Sequence, residues 1–399
     1  MERPLESVTI ADLTTAHQGP WATQKLGEMG ADVIKVERPG GEWSRDLAAG
    51  AADDIDGESP FWLSANRCKR SVTLDLKDDR GREALLAIAE NADALIENFR
   101  PGVMDRLDLA YEDVRAVNPE IVYVSATGFG EDGPDADRPG QDLLMQALSG
   151  LAAASGRKDD PPTPAAFPVV DNHSAMQIAY YTMVALFHRE RTGEGQKVTV
   201  NLLDSAVDSQ CQGFTVEENL DRAFERSEEG IAQKYLGAPY GIYETADGHV
   251  AISMTPLDRL AETLDIPEIA DYDERAAFER RDEIKRTIEV HTRERSSEAI
   301  VDALVDADIW AAHVNDFADA AEHPQVRHNG MLVDVAHPAG GTFTTTGIPG
   351  DLSETPGEID RGPPRPGQHS AQILREAGYD EETIAELAAD GVTDIEERS

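Results

Sequence analysis

The 399-residue chain contains 77 acidic and 36 basic residues, which gives a formal net charge of −41 at pH 7. A field of this sign repels nucleic acid and anionic membrane surfaces, so neither is expected as a partner. The two cysteines, Cys68 and Cys211, are too few for a disulfide framework or a four-cysteine zinc site. No apolar run reaches the roughly 18 residues of a membrane span.

The N-terminal stretch and the charge distribution indicate the cellular setting. MERPLESVTIADL has no basic flank followed by an apolar segment, so no secretory signal is visible and a cytoplasmic protein is expected. Acidic residues exceed basic ones throughout the chain. This favours an acidic coat adapted to very high salt, where the Debye length falls to about 3 Å at 1 M. An ordinary acidic cytosolic protein is the alternative.

The first two hundred residues alternate strand-like and helix-like segments. The predicted strands are SVTIADL (7–13), ADVIKVE (31–37), RSVTLDL (70–76), ALIENF (94–99), EIVYVSATGFG (120–130) and QKVTVNLLD (196–204). Helices are predicted after Gly19-Pro20, in KDDRGREALLAIAENAD (77–93) and in the long apolar stretch around Asp171. This order predicts an α/β domain with a mainly parallel sheet, whose ligands bind at the carboxyl ends of the strands.

The character of the sequence changes after about residue 225. PYGIYETADGHVAISM (239–254) predicts a hairpin around Asp247-Gly248, and charged helices follow through about residue 322. Because a chain of this length exceeds the usual size of a single core, a second and smaller α+β domain is expected here. Strand-like segments return near residue 331, and two short helices are predicted within 363–391.

Asp171 is the one acidic residue at the start of the apolar stretch FPVVDNHSAMQIAYYTMVALF. Asp, Asn and Ser side chains commonly accept hydrogen bonds from the free N–H groups at the start of a helix, so Asp171 has a capping interpretation. The segment by itself favours this interpretation, and a nucleophilic carboxylate is the alternative. No phosphate loop, nucleophile elbow or zinc-protease motif occurs elsewhere in the chain to direct the choice.

Several segments, taken together and in order, resemble the class III CoA-transferase family, also called the CaiB/BaiF family. They are HQGPWATQKLGEMGADVIKVERPGGEWSR, NRCKRSVTLDL, ENFRPGVMDRL, NPEIVYVSATGFGEDGP, RTGEGQKVTVNLLD, HPQVRHNGMLVDVAHPAGGT and PPRPGQHSAQIL. The resemblance implies a Rossmann-like large domain built from both chain ends, a small inserted domain and two interlocked subunits. On that plan residues 1–224 and 331–399 form the large domain, and residues 225–330 form the small one.

The resemblance also implies a chemistry for Asp171. In the family, the residue at this position is the carboxylate that attacks the thioester of an acyl-CoA donor. Mixed anhydrides and an aspartyl-CoA thioester then carry CoA to an acceptor acid, which is a form of covalent catalysis. No metal and no cofactor are expected, since coenzyme A enters as part of the substrate. Acyl-CoA and a small carboxylic acid are the expected ligands.

Further site residues are implied at positions that match the family's. The CoA-binding set is His17, Gln18, Arg38, Leu74, Lys77, Asn98, Phe99, Val103 and Arg106. Arg38, Lys77 and Arg106 suit the phosphates of CoA, and Arg binds phosphate bidentately. Gln141 and Asp142 are expected to lie beside the active site, with a helix-capping role as the alternative for Asp142.

Two other functions remain open. The α-methylacyl-CoA racemases of the same family use a histidine directly before an aspartate, and here that place is held by Gln141, which cannot exchange a proton at neutral pH. A CoA-binding protein without turnover is the second alternative. For the transferase, succinyl-CoA with a C4–C5 dicarboxylate such as mesaconate is the predicted pair of substrates.

Overall fold

The computed structural model describes residues 3–50 and 52–396. The chain divides into two compact units: the first comprises Met1–Met145, Pro168–Ser209 and Pro324–Ser399, and the second comprises Gln146–Phe167 and Gln210–His323. The domain limits inferred from the sequence, at residues 225 and 331, remain a prediction. Among the residues described, no helix is long and apolar enough to cross a membrane.

Eleven strands are present in the described residues. They are β1 Thr9–Asp12, β2 Asp32–Glu37, β3 Lys69–Thr73, β4 Ala94–Glu97, β5 Val122–Thr127, β6 Gln196–Asn201, β7 Gly241–Glu244, β8 His249–Ile252, β9 Ala311–His313, β10 Leu332–Ala336 and β11 Thr342–Thr346. All six strands predicted before residue 205 are confirmed, each shorter than its apolar run. The predicted hairpin is confirmed as β7 and β8, which pair antiparallel.

Eighteen helices are present in the described residues, and they include the three predicted after Gly19-Pro20, in residues 77–93 and around Asp171. They are α1 Gln18–Glu28, α2 Pro60–Ala65, α3 Asp79–Glu90, α4 Val103–Arg106, α5 Tyr111–Val117, α6 Asp142–Leu148, α7 Leu151–Ala154, α8 Val169–Thr192, α9 Leu202–Asp208, α10 Cys211–Asn219, α11 Leu257–Leu264, α12 Glu274–Glu279, α13 Arg281–Thr292, α14 Ser297–Asp306, α15 Phe317–Glu322, α16 Pro324–His328, α17 Ser370–Glu376 and α18 Glu381–Ala389. Short 3₁₀ turns lie at Trp43–Asp46 and Pro267–Ile269.

The first unit is built on a six-stranded sheet in the order β3-β2-β1-β4-β5-β6. Every neighbouring pair is parallel, which confirms the predicted α/β fold. This order is that of the doubly wound Rossmann fold, and it reverses between β1 and β4. All residues of β3 and β5 are buried, as expected for a sheet whose two faces are both covered.

Alternating residues of each strand pack into two cores, one on each face of the sheet. On one face Ala11 and Leu95 lie with helices α3 and α17. On the other face Ile10 and Val124 lie with α1 and α8. The sheet therefore fixes which residues at the strand ends face α1 and α8, and this face carries the site described below.

The C-terminal segment covers the outer edge of β3, which is the end strand of the sheet. Ser71 O accepts a hydrogen bond from His369 N at 2.9 Å, and Thr73 N donates to Ser370 Oγ at 3.2 Å. Leu374 of α17 then enters the core between the sheet and α3. Pairing and covering an edge strand removes a site of aggregation, so the C-terminal segment is an integral part of the first unit.

The second unit contains a three-stranded antiparallel sheet in the order β7-β8-β9 and several helices. Its core joins Tyr243 and Val250 of the sheet with Leu260, Ile284 and other buried aliphatic residues of α11, α13 and α14. The predicted α+β character of this part of the chain is confirmed. The separate pair of β10 and β11 belongs to the first unit.

Leu374→Ala tests the contribution of the C-terminal segment to the first unit. Leu374 is 0% exposed, so its truncation leaves a cavity and should lower the free energy of unfolding by about 2–5 kcal/mol in urea titrations. Leu332→Ala is the matched control: Leu332 is 39% exposed, and the loss should stay below about 1 kcal/mol. Equal losses in the two variants would contradict the packing described here.

Candidate active site

Helix α8 begins at Val169, after Pro168, without a side-chain cap from its own first residues. The N–H groups of Val170 and Asp171 instead donate to Oδ2 of Asp142, at 2.7 and 3.1 Å. Asp142 therefore caps α8 from a distant part of the chain. The capping interpretation of Asp171 is wrong, because its side chain makes no such bond.

Asp142 reaches α8 because the chain approaches itself closely at two glycines. A Cβ atom on Gly128, just after β5, would lie 2.6 Å from the Cα atom of Gly140. This contact places the following residues, Gln141 and Asp142, next to the carboxyl end of β5. Asp142 is the first residue of α6 and is buried, whereas the side chain of Gln141 is exposed.

The Asp171 carboxylate is half-buried and receives no hydrogen bond from the described residues. Burial raises its pKa, and the nearby charge of Asp142 raises it further, to about 7. Ordinary aspartates titrate near 3.9, so Asp171 holds its proton about three pH units longer. A carboxylate of this kind is more basic and less solvated than a surface aspartate, which suits a nucleophile or a base.

His17 and Gln18, at the start of α1, bond to the first turns of α8. His17 Nε2 lies 2.7 Å from Asn172 Oδ1, and Gln18 Nε2 donates to Ser174 Oγ at 2.6 Å. Since an amide oxygen only accepts, Nε2 of His17 carries the proton. Burial lowers the pKa of His17 despite its bond to Asn172 and the charge of Asp142, so the ring is neutral at pH 7.

The loop after β1 is also tied to the loop after β4. Asn98 Oδ1 accepts from Thr15 N at 2.7 Å, and Asn98 Nδ2 donates to Thr15 O at 2.9 Å. These loops lie on either side of the point where the strand order reverses. In open α/β sheets this point, at the carboxyl ends of the strands, is the usual ligand crevice.

The sheet places the whole predicted CoA-binding set at one edge. The residues follow four adjacent strands: His17 and Gln18 follow β1, Arg38 follows β2, Leu74 and Lys77 follow β3, and Asn98, Phe99, Val103 and Arg106 follow β4. Arg38, Lys77 and Arg106 are exposed, and Phe99 and Val103 are half-buried. Leu74 is 1% exposed and packs in the core, so it supports this edge from below.

Two residues beside Asp171 were not predicted from the sequence. Asn172 and Ser174 connect the first turns of α8 to His17 and Gln18. The sequence feature that could have identified them is the polar run DNHS at the start of an otherwise apolar helix. Their bonding partners lie more than 150 residues away in the sequence and are not apparent from this run. In the described part of the chain, no group of three or more His, Cys, Asp or Glu side chains is placed to hold a metal ion.

Comparisons with known proteins agree with this geometry. Residues 5–370 match the model of the family described as CoA-transferase family III. A succinyl-CoA:mesaconate CoA-transferase of Haloarcula hispanica is 37% identical over 385 residues, covering 94% of this chain and 96% of that protein. The human succinyl-CoA:glutarate CoA-transferase is 31% identical, with 99% and 91% coverage.

A crystal structure of a CAIB/BAIF family protein from Brucella suis superposes with a TM-score of 0.82 at 28% identity. It covers 94% of this chain and 100% of its own. The fold, the family match and the relatives lead to the same conclusion. The chain belongs to CoA-transferase family III and is an enzyme of that class.

Proposed function

We propose that this enzyme transfers CoA from succinyl-CoA to a C4–C5 dicarboxylate such as mesaconate, with Asp171 as the nucleophile. The observation that carries the proposal is the Asp171 carboxylate, which is free of hydrogen bonds from the described residues and has a pKa raised to about 7. The choice of substrates is supported by the relative from Haloarcula hispanica, which is named for this reaction.

The reaction proceeds through covalent intermediates on the carboxyl group of Asp171 and begins at one of its oxygens. That oxygen attacks the thioester carbon of the donor, the C–S bond breaks, and CoA leaves as a thiolate with a mixed anhydride on the enzyme. The thiolate attacks the aspartyl carbonyl, releasing the donor acid and forming an aspartyl-CoA thioester. The acceptor carboxylate displaces the thiolate to form a second anhydride. The thiolate then attacks the acceptor carbonyl, which yields product and free Asp171.

The environment of Asp171 suits these steps. An anhydride survives only where water is scarce, and burial is the main cause of the raised pKa of Asp171. The N–H groups of Val170 and Asp171 are already bonded to Asp142, so other donors must stabilise the oxyanions. We infer that Asp142 fixes the start of α8 and keeps Asp171 basic through its charge.

CoA binding is assigned to the predicted set on the strength of its unpaired cations. Arg38, Lys77 and Arg106 form no ion pair with a carboxylate in residues 3–50 and 52–396, in a chain that contains 77 acidic residues. Exposed cations without carboxylate partners at a ligand-binding edge suit the phosphates of CoA, and Arg38 bonds only to a backbone carbonyl, that of Gly41, among the residues described. Coenzyme A is here a substrate, and no further cofactor is proposed.

A racemase is not proposed. Such a reaction needs two groups that exchange protons on opposite faces of a carbon atom. The side chain at the position of the second group is Gln141, an amide that is exposed beside Asp142. A binding protein without turnover is also not proposed, because the relatives described above are CoA-transferases and a buried carboxyl group with a raised pKa suits a nucleophile.

A homodimer with interlocked subunits is part of the proposal, supported by the family and by α8. One side of this 24-residue helix exposes large apolar side chains. They are Met176, Tyr180, Tyr181, Met183, Val184 and Phe187. Apolar patches of this kind on a charged protein usually mark an interface, and a second copy is the occupant that the family favours.

The surroundings in which the enzyme works complete the proposal. We infer a cytoplasm of high salt, where the acidic coat of a chain with net charge −41 is screened. Neither nucleic acid nor membrane is proposed as a partner, because both carry the same sign of charge.

Asp171→Asn tests the nucleophile. In high-salt buffer the wild type should transfer CoA from succinyl-CoA to mesaconate, and the amide should lower kcat by at least about 1,000-fold, since it removes the attacking oxyanion. Deamidation is monitored by mass spectrometry. Asp204→Asn is the matched control, because Asp204 also lies in the first turn of a helix but is exposed; its activity should stay within about twofold.

The change in the free energy of unfolding caused by Asp171→Asn has a predicted sign. A raised carboxyl pKa stabilises the fold only while the group is protonated, and this contribution is lost as the pH rises through about 7. At pH 8.5 Asp171→Asn should therefore be more stable than the wild type, by up to about 4 kcal/mol for a fully buried group and less for one half-buried. Loss of activity with retained stability excludes simple unfolding.

The pH profile tests the role of Asp142. Only ionised Asp171 attacks, so kcat/KM of the wild type should rise as the pH increases through about 7. Asp142→Asn keeps an oxygen for the two N–H groups of α8 and removes the charge. The acid limb should therefore move to lower pH by about one unit. An unshifted limb would show that Asp142 does not tune Asp171.

Phe187→Glu tests the dimer. Phe187 is 62% exposed on the apolar side of α8, and a charge there should convert a dimer to monomers in sedimentation velocity experiments. Val117→Glu, which places the same charge at an isolated exposed position on α5, should leave the dimer intact. A wild type that sediments as a monomer would overturn this part of the proposal.

A further inference from the structure

Three charged side chains are fully buried on the face of the sheet that carries α1. Asp12, at the end of β1, and Lys35 of β2 are 0% exposed and Lys69 of β3 is 1% exposed, and we call them the Asp12 cluster. Asp12 Oδ2 lies 3.0 Å from Lys69 Nζ. Burial alone would raise the pKa of Asp12, but the two lysines and two hydroxyl groups hold it at about 2, so the carboxylate is ionised.

Both oxygens of Asp12 are used to hold the chain that follows β1. Oδ1 accepts from Thr14 N at 2.9 Å and from Thr14 Oγ1 at 2.5 Å. Oδ2 accepts from Thr23 Oγ1 at 2.7 Å in addition to the lysine. Asp12 thus binds the segment Leu13–Gln18 at its beginning and helix α1 one turn beyond its start.

The two lysines hold the same stretch through its carbonyl groups. Lys69 Nζ donates to Pro20 O at 2.9 Å, and Lys35 Nζ donates to Thr14 O. Lys35 is balanced by Glu42, whose Oε2 lies 3.3 Å from its Nζ. The bonds to Thr14 therefore hold the backbone between Asp12 and α1, and the bond to Pro20 O holds the first turn of α1. Lys69 Nζ also donates to Asn66 Oδ1 at 2.9 Å.

This path is an unusual one. Ala16 has a φ of 67°, a left-handed conformation that costs a residue with a Cβ atom about 1 kcal/mol or more. Gly19 packs so closely that a Cβ atom there would lie 2.3 Å from Thr14 Cβ. Such a conformation persists only where its surroundings fix it. The residues it presents are His17 and Gln18.

Stability does not explain why three charges are buried here. Buried ion pairs are often replaced by apolar side chains at no cost or with a gain in stability. His17 and Gln18, however, contact Asn172 and Ser174, which flank Asp171 by one and three residues on α8. A shift of the segment Leu13–Gln18 would therefore be transmitted to the carboxylate of Asp171.

We propose that Asp12, held by Lys35 and Lys69, is a positioning residue for Asp171 that acts through the segment Leu13–Gln18. It does not touch the reacting atoms. It fixes the backbone from which His17 and Gln18 brace the first turns of α8, and so keeps Asp171 in line with the thioester and shielded from water. This inference rests on the proposed role of Asp171.

The experiment compares Asp12→Ala with Asp12→Asn. The alanine removes every bond that Asp12 makes, and kcat should fall about 100-fold, the size of effect that follows from a displacement of about 1 Å in an active site. The asparagine keeps an oxygen for Thr14 N, so kcat of Asp12→Asn should be at least about tenfold higher than kcat of Asp12→Ala. If Asp12→Ala fails to fold, Thr14→Val provides the test. It keeps the packing and removes only the hydroxyl bond to Asp12, and kcat should fall a few-fold.

Asp93→Ala is the matched control. Like Asp12, Asp93 accepts a backbone N–H group and pairs with a cation. Its donor is Thr9 N, at 2.6 Å, and its cation is Arg189, but these contacts lie at the opposite end of β1. This variant should lose stability while keeping kcat within about threefold. Equal losses of kcat in Asp12→Ala and Asp93→Ala would overturn the inference, because a general loss of stability would then account for both.

A second measurement does not require turnover. The pKa of the Asp171 carboxyl, followed by carboxyl carbon NMR and assigned with Asp171→Asn, should fall toward the ordinary value in Asp12→Ala, since water then reaches it. It should not change in Asp93→Ala. A pKa unchanged in Asp12→Ala would overturn the inference. Absence of CoA transfer by the wild type would instead contradict the proposed function. The titration of Asp171 would then still test whether Asp12 positions it.

Discussion

The architecture of this site depends on acidic side chains at the ends of parallel strands. Asp12, Glu37 and Glu97 are the last residues of β1, β2 and β4, and all three are buried. Each accepts a backbone N–H group of the loop that follows, from Thr14, Glu42 and Phe99 at 2.9, 3.1 and 2.9 Å. A backbone N–H group beyond the end of a strand no longer donates to the neighbouring strand, and burying it without a hydrogen bond is costly. Every loop that carries a predicted CoA-binding residue after these strands is therefore anchored close to the end of its strand.

The chain balances these carboxylates in different ways. Asp12 has two lysines, and the guanidinium of Arg45 pairs with Glu37 at 2.7 Å. For Glu97 burial prevails over its hydrogen bonds to Ser125 and Phe99 and raises the pKa to about 7. Asp171 belongs with Glu97, because burial and a second carboxylate, Asp142, raise its pKa and no cation among the described residues lowers it. A lysine beside Asp171 would lower this pKa and the basicity of the carboxylate, so the proposed chemistry requires that cations stay away.

The sequence was sufficient to predict the elements and the kind of sheet, and much less so to predict the site. Short apolar runs ending in turn residues located all six parallel strands, because strand burial is a local property of composition. The proposed role of Asp171 came from family resemblance, since the residue pattern by itself favoured a helix cap. The true cap, Asp142, is 29 residues away from Asp171 and reaches it through the contact of two glycines. No periodicity encodes such a contact. The acidic ends of SVTIADL, ADVIKVE and ALIENF were visible in the sequence, but their meaning required the order of the strands.

The net charge of −41 places a further constraint on how an anionic substrate is bound. At about 1 M salt the Debye length is about 3 Å, so the acidic surface repels a CoA phosphate only at contact, and distant cations attract it equally little. Under these conditions steering through the field of the whole protein contributes little, and affinity must come from groups that touch the ligand. Arg38, Lys77 and Arg106, which are proposed to bind CoA, suit this requirement: they are exposed, lack carboxylate partners among the residues described, and follow β2, β3 and β4 of the same sheet. The buried lysines of the Asp12 cluster cannot serve in this way. Their bonds hold the loop beside α8, while the cations proposed to bind CoA lie at the surface without carboxylate partners among the residues described.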